Sequence, residues 1–232
     1  MQSRCKQARF STDFSVKMRE IVLKAVELLE ASVRECCHGS NVGLVFSAGI
    51  DSTLIGFLAS RFCRVEAFSV GVSGSHDLDY ARKMVKPPFR INLVELGVKD
   101  IEAELPRIVK AAGSANPLDV SVAIPFYFAS KKCSASGLKE MLCGQGGDEL
   151  FGGYNRYIEL LAKGTYEQLD DLMRKDLKNL PESNLNRDKA VCKANGVRLE
   201  IPFLGRGFVE FVQGIPIQLK VRELAEFEKP EY

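Results

Sequence analysis

Between residues 41 and 143 the chain alternates short apolar runs with helix-forming stretches, and few folds accept that pattern. Asn41–Phe46, Arg64–Gly71, Phe89–Leu96 and Leu138–Cys143 read as buried strands, too apolar to have one face in water. Helices are expected from Ser52 to about Arg61, over Leu78–Val85, over Ile101–Ala112 and over Ser121–Ser134, with Pro87-Pro88 forcing a break before the third strand. Strand–helix alternation of this kind implies an α/β fold, a mostly parallel twisted sheet with helices on both faces. Ahead of it, Ile21, Val22, Ala25, Leu28, Leu29 and Val33 fall at i, i+3/i+4 spacing, so Phe14–Cys37 is an amphipathic helix ended by Gly39-Ser40. After Gly153 the strand signals stop, and Tyr154–Lys163, Tyr166–Leu177 and Asn186–Ala194 read as successive helices. The expected organisation is a helical segment over 1–40, an α/β core over 41–153 and a helical layer over 154–232. Where such a sheet hands over to helices, strand C-termini form the ligand crevice.

Composition narrows the function classes. A net charge of +2 in 232 residues gives no clustered basic face, so nucleic acid is not an expected partner. No apolar run reaches the roughly 18 residues of a membrane span, and Met1–Cys5 leads into no secretory core, so a cytoplasmic protein without a membrane partner is expected. Seven cysteines contain no C-x-x-C pair and only two histidines accompany them, which speaks against zinc or iron–sulfur sites. The odd count also argues against a disulfide framework, so these residues read as reduced, mostly buried thiols.

Two segments carry chemistry. Ser47-Ala-Gly-Ile-Asp-Ser52 leaves a strand and enters a helix. Small residues at Ala48 and Gly49 let a phosphate approach backbone N–H groups, the hydroxyls of Ser47 and Ser52 add donors, and the new helix turns its positive end to the anion. Asp51 then supplies a carboxylate for Mg²⁺, which takes one or two such ligands beside phosphate oxygens. The bland alternative is a strand–turn–helix with a capping Ser or Asp. The second segment, Gly144 to Gly153, holds five glycines in ten residues together with Asp148 and Glu149. Glycine so dense costs chain entropy and is not needed merely to turn the backbone. A carboxylate here could complete a Mg²⁺ site with Asp51; a long mobile turn is the plain alternative.

Together these segments resemble the ATP-pyrophosphatase (N-type PP-loop) superfamily, whose loop is S-G-G-x-D-S. Within it they resemble the synthetase domain of asparagine synthetase, which adds S-G-E-G-A-D-E-L-F-G-G-Y. Ser69-Val-Gly71 with Asp77–Arg82, Asp188–Val197 and Ile201-Pro-Phe-Leu204 look like further segments of that family, so the resemblance runs from about residue 40 to 220. It implies an adenine nucleotide alpha hydrolase-like fold. It also implies ATP and Mg²⁺ as cofactors, with Ser47, Gly49, Asp51 and Ser52 on the β- and γ-phosphates, Val45, Val70 and Gly144 around adenosine, and Asp51 and Asp148 on the metal. Lys175 takes the place of a lysine that neutralises pyrophosphate, against a plain reading as a solvated helix charge. The implied reaction adenylates a carboxylate, such as aspartate, and transfers ammonia or an amine, with AMP and pyrophosphate as products.

Four departures bear on that reading. Ala48 replaces a loop glycine, which requires a negative φ there. Gln145 stands where the family has a glutamate, so the reacting centre loses a carboxylate but keeps an amide that can orient a substrate. Arg198 and Glu200 exchange the family's signs, which suggests a swapped ion pair, while Gly205 replaces an aspartate. The chain also stops at Tyr232, before the family's basic C-terminal segment, and has about 40 residues ahead of the first strand in place of a glutaminase domain, with Cys5 no substitute for its nucleophile. The nitrogen would then come from free ammonia, a separate glutaminase subunit or an internal amine; homo-oligomer formation is left open. Rival readings are PP-loop RNA modification, for which Cys143 lies near the nucleotide site, ring-closing synthesis, and an ATP-binding regulatory module without turnover.

Overall fold

The computed structural model describes residues 12–221, and Cys5 lies outside them. Five strands form one parallel sheet in the order β3-β2-β1-β4-β5. They are β1 (Asn41–Val45), β2 (Arg64–Val72), β3 (Arg90–Leu96), β4 (Glu140–Leu142) and β5 (Arg198–Glu200). From β1 the chain adds β2 and β3 to one side, then returns to place β4 on the other. That reversal puts a switch point between β1 and β4, where open parallel sheets form their ligand crevice. Leu44 pairs with Leu142, so the loops leaving β1 and β4 emerge side by side at the same end.

The pleat sorts the apolar side chains into two cores. Val42, Leu44 and Phe46 of the β1 segment and Val65 and Ala67 of β2 face α1 (Thr12–Cys36), α2 (Ile50–Ala59) and α10 (Arg206–Gln213). Phe68 and Val70, one step out of phase along β2, face α4 (Val98–Ala112), α5 (Pro117–Ala135) and α9 (Asn186–Ala194). Gly43 has no side chain because α5 lies against it: a Cβ there would sit 2.7 Å from Cys133 Sγ. The remaining helices are α3 (His76–Lys83), α6 (Gly147–Phe151), α7 (Asn155–Leu161), α8 (Tyr166–Leu180) and α11 (Ile217–Lys220). Tyr157, Leu161, Leu169, Met173 and Ile217 give α7, α8 and α11 a small core of their own. Every described cysteine is free, and Cys133, Cys143 and Cys192 are buried.

One sequence expectation fails here. Strands do not stop at Gly153, because Arg198–Glu200 returns to complete the sheet beside β4. Arg198 N–H donates to Lys139 O at 2.8 Å and Cys143 N–H to Glu200 O at 3.1 Å. With three residues and a single apolar side chain, the strand carries no detectable period. Its exposed face is polar because Arg198 pairs with Glu200 at 2.8 Å, the swapped ion pair expected from the sequence, and with Glu140 at 2.5 Å. Gly205 has a steric reason: Ser32 of α1 donates to Pro202 O at 2.5 Å, and a Cβ at 205 would collide with the Ser32 hydroxyl.

Candidate active site

The cleft of about 650 Å³ at the β1/β4 switch point draws its walls from both loops singled out in the sequence. On the first, Gly49 caps α2 in extended conformation and the helix N-terminus opens toward the cleft. Ser47 and Ser52 hydroxyls lie 3.2 Å apart, Gly49 N–H donates to Ser47 Oγ at 3.3 Å, and Ser52 Oγ donates to Gly49 O at 3.2 Å. The turn is thereby held open at its backbone by its own hydroxyls. Ala48 corrects the sequence reading: its φ is +58°, the left-handed region where an L-residue costs about 1–2 kcal/mol. Its methyl packs against the α1-side core rather than lining the cleft, whereas Ser47, Gly49, Ile50, Asp51 and Ser52 of the loop all line the cavity.

Close approach between the two loops explains the glycine density. A Cβ at Gly144 would lie 2.8 Å from Ser52 N, and one at Gly147 would collide with the Asp51 carboxylate. Only bare backbone lets the strand ends meet so tightly. Asp51 and Asp148 both line the cleft. Burial, then Asp148, then Glu149 push the Asp51 carboxyl up to about 6, and burial also raises Asp148. Glu149 is buried and fixed by a hydrogen bond from Tyr154 Oη at 2.7 Å. Among the described residues the lining contains no Lys, Arg or His. The site concentrates negative charge without compensation.

Val45, Phe68, Val70, Gly144 and Gln145 line the same cleft. Lys175 is not brought to the cleft. It stands exposed on α8, which contributes Leu180 to the lining instead. Cys143 does reach the cleft wall, yet it is buried and its thiol is pushed up to about 12 by desolvation, so it is inert as a nucleophile.

Gln145 is held in a way the sequence did not indicate. Its Nε2 donates to Asp188 Oδ2 at 2.5 Å, and Arg187 Nε donates to Asp188 Oδ1 at 2.8 Å. Asp188 is 0% exposed and Arg187 8%. The guanidinium also donates to Asn184 Oδ1 and Asp119 Oδ1, each at 3.4 Å. Burial raises the Asp188 carboxyl, while Arg187 and Gln145 oppose that rise. Gln145 Oε1 is buried with no partner among the described residues, a state that costs about 1–3 kcal/mol unless something supplies a donor. Asp77, raised by burial, lines the cleft too, and the sequence had named it only as the start of a family-like segment; Asn184, which the sequence did not single out, lies beside the same cavity. The run Arg187-Asp188 in the first turn of α9 was the available signal for this network.

The fold and cleft define an α/β protein with an acidic, glycine-walled site at a sheet switch point. The family model described as asparagine synthase matches residues 24–169 and 161–230, and the chain belongs to that family. A Methanocaldococcus jannaschii protein described as an asparagine synthetase (glutamine-hydrolyzing) is 38% identical over 199 residues, covering 85% of this chain and 37% of its own length. The asparagine synthetase (glutamine-hydrolyzing) of Zea mays is 27% identical over 231 residues, covering 91% of this chain and 37% of its own. This chain thus spans little more than a third of the length of these relatives. The solved NH3-dependent NAD synthetase of Campylobacter jejuni aligns at 15% identity and a TM-score of 0.41, over 92% of this chain and 99% of that one.

Proposed function

We propose that the chain is the ATP-consuming, AMP- and pyrophosphate-forming part of an amide ligase. The observation that carries this reading is the meeting of Asp51 and Asp148 at the N-terminus of α2, in a cleft without cationic lining among the described residues. A triphosphate could enter such a site only with a divalent cation. The donor set fits Mg²⁺, which needs one or two carboxylates and takes its other ligands from phosphate and water. Among the described residues no larger His, Cys, Asp or Glu cluster forms, so a dedicated cage for another metal is not offered. When bound, Mg²⁺ would offset charge developing on the leaving pyrophosphate.

The remaining roles fall to the chain itself. Ser47, Ser52 and the N–H groups of the turn orient the phosphates, and Val45, Phe68 and Val70 offer an apolar wall for the adenine. A carboxylate oxygen attacks the α-phosphorus, the bond to the bridging oxygen breaks, and pyrophosphate leaves; an amine then displaces AMP from the acyl group. Such catalysis is positioning and electrostatics more than bond-making by side chains. The family's named relatives favour aspartate as carboxylate and ammonia, delivered free or by a glutaminase, as nitrogen source. Free thiols fit a reducing cytoplasm, and among the described residues no helix is long and apolar enough to cross a membrane.

Chromatography of a turnover mixture with Mg²⁺–ATP, amino acids and ammonium chloride tests the proposal. AMP and pyrophosphate should appear in equal amounts. ADP as sole nucleotide product would overturn it.

A further inference from the structure

Two half-buried thiols meet at the end of the sheet away from the cleft, and nothing in the proposed reaction uses them. Cys37 directly follows α1, and Cys63 closes the turn between α2 and β2, so both precede the strands whose far ends lead to the cleft. Their Sγ atoms lie 3.3 Å apart, although 26 positions of sequence separate them. Each backbone is pinned locally: Cys37 N–H donates to Arg34 O at 3.2 Å and Cys63 N–H to Ala59 O at 3.0 Å. Neighbouring contacts hold the two segments together. Arg61 pairs with Glu30, and the Arg34 guanidinium stands 5.7 Å from the centre of the Phe62 ring. Arg64 N–H donates to Ser40 O at 2.8 Å, which fixes where β1 and β2 start. Closing the gap to the roughly 2.0 Å of a disulfide therefore needs a side-chain movement of only about 1 Å.

The other described cysteines differ. Cys133, Cys143 and Cys192 are buried, and desolvation pushes their thiols up, to about 12 for Cys133 and Cys143. Cys36 is half-buried, but burial and then Glu200 push it up to about 11. Cys63 is lowered by its hydrogen bond with Cys37 against the opposing effect of burial, while Cys37 is raised by the same contact. One thiol is eased toward thiolate and the other keeps its proton, as an attacking and a resolving thiol must.

We propose that Cys37 and Cys63 are a redox-active dithiol, oxidised by a low-molecular-weight disulfide, whose closure clips the end of α1 to the turn before β2. The Cys63 thiolate attacks one sulfur of R–S–S–R, that S–S bond breaks, and RS⁻ leaves to take up the proton Cys63 released. Cys37 then attacks Cys63 Sγ, the mixed disulfide breaks, and a second RS⁻ leaves with the proton of Cys37. The cysteine pair loses two electrons, the small disulfide gains them, and two molecules of RSH form. Reducing conditions keep the pair open, and an oxidising shift closes it. Because the closed loop spans 26 positions, closure removes entropy from the unfolded chain and stabilises the fold. The chemistry is independent of what the cleft binds.

Treating the full chain with millimolar oxidised glutathione, blocking the remaining thiols with N-ethylmaleimide and mapping tryptic peptides by mass spectrometry tests the pair. Peptide 62–64 should appear joined to peptide 35–61, two hydrogens lighter than their sum. The Tm should rise by about 5–10 °C and fall back with dithiothreitol. Cys36→Ser should leave the yield of crosslink within about twofold. Cys37→Ser should lose the crosslink and retain glutathione on Cys63, the stalled first step. Should that variant lack a cooperative melt, Cys37→Ala carries the same expectation, and the wild-type map and melt stand without either. A crosslink that survives replacement of Cys37 overturns the proposal. So does a wild-type chain that stays unmodified at Cys63 or gains only glutathione there, and so does a complete crosslink that leaves the Tm unmoved.

Discussion

Carboxylates that line the cleft and a carboxylate buried behind its wall are treated in opposite ways. At the loop leaving β1, Asp51 is desolvated and crowded by Asp148 and Glu149, with no cationic lining among the described residues, and its carboxyl is pushed up to about 6. Behind Gln145, Asp188 is more deeply buried, yet Arg187 and Gln145 occupy both its oxygens. The first set is unfinished without a ligand; the second is complete without one. Charge left uncompensated in a folded protein is destabilising unless a partner arrives, so the loop leaving β1 stands open to a ligand while the Asp188 pair is closed on itself.

The largest expected effect comes from breaking the completed set. Arg187→Met leaves Asp188 buried and unpaired, which should cost about 3–5 kcal/mol in urea unfolding. Replacing both, as Arg187→Met with Asp188→Leu, should recover most of that loss, since two apolar groups need no compensation. If the single variant unfolds at the wild-type midpoint, the pair does not hold the wall.

A smaller effect should follow from relieving the unfinished set. The Asp51 carboxyl is raised on folding, from 3.8 to about 6, so the native state binds the proton more tightly than the unfolded chain. Stability of the ligand-free protein should therefore fall as pH rises from about 4 to about 6, by about 1–2 kcal/mol once solvent screening is allowed for. Asp51→Asn should flatten that fall and, in the same preparation, abolish the rise in Tm produced by Mg²⁺–ATP. A variant that still gains stability from the nucleotide would remove Asp51 from the site.

The smallest effect sharpens the comparison within the loop leaving β1 itself. Ala48 holds φ +58° at a turn where glycine is unstrained. Ala48→Gly should raise stability by about 1 kcal/mol and Tm by roughly 2–4 °C, because the strain relieved exceeds the entropy glycine adds to the unfolded chain. A fall in Tm would mean that the methyl's packing against the core outweighs the backbone strain.

The strand–helix alternation, the loop at Ser47–Ser52 and the glycines from 144 to 153 were legible because each rests on short-range rules. Period, small residues before a helix, and acid among glycines can all be read within ten residues. β5 was not legible, since three residues around one leucine leave no period and their pairing with β4 spans about 58 positions of sequence. Lys175, for which the sequence left a pyrophosphate role and a solvated charge both open, lies exposed outside the cleft lining, because a place within a motif-like stretch says nothing about which face of α8 turns to the cleft. Ala48 was misjudged because the sign of φ is set by how the turn must return to the helix, not by the residue's preference.

By itself, the sequence determined the parallel sheet, the two loops that face one another, and the acidity of the site they enclose. Tertiary structure alone decided that Asp188 would lie behind Gln145, 43 residues away, at hydrogen-bonding distance. It also decided which carboxylates would be compensated and which left open. Burial and pairing are properties of packed neighbours, and the same Asp is a solvated charge or a rigid anchor depending on what the fold sets beside it.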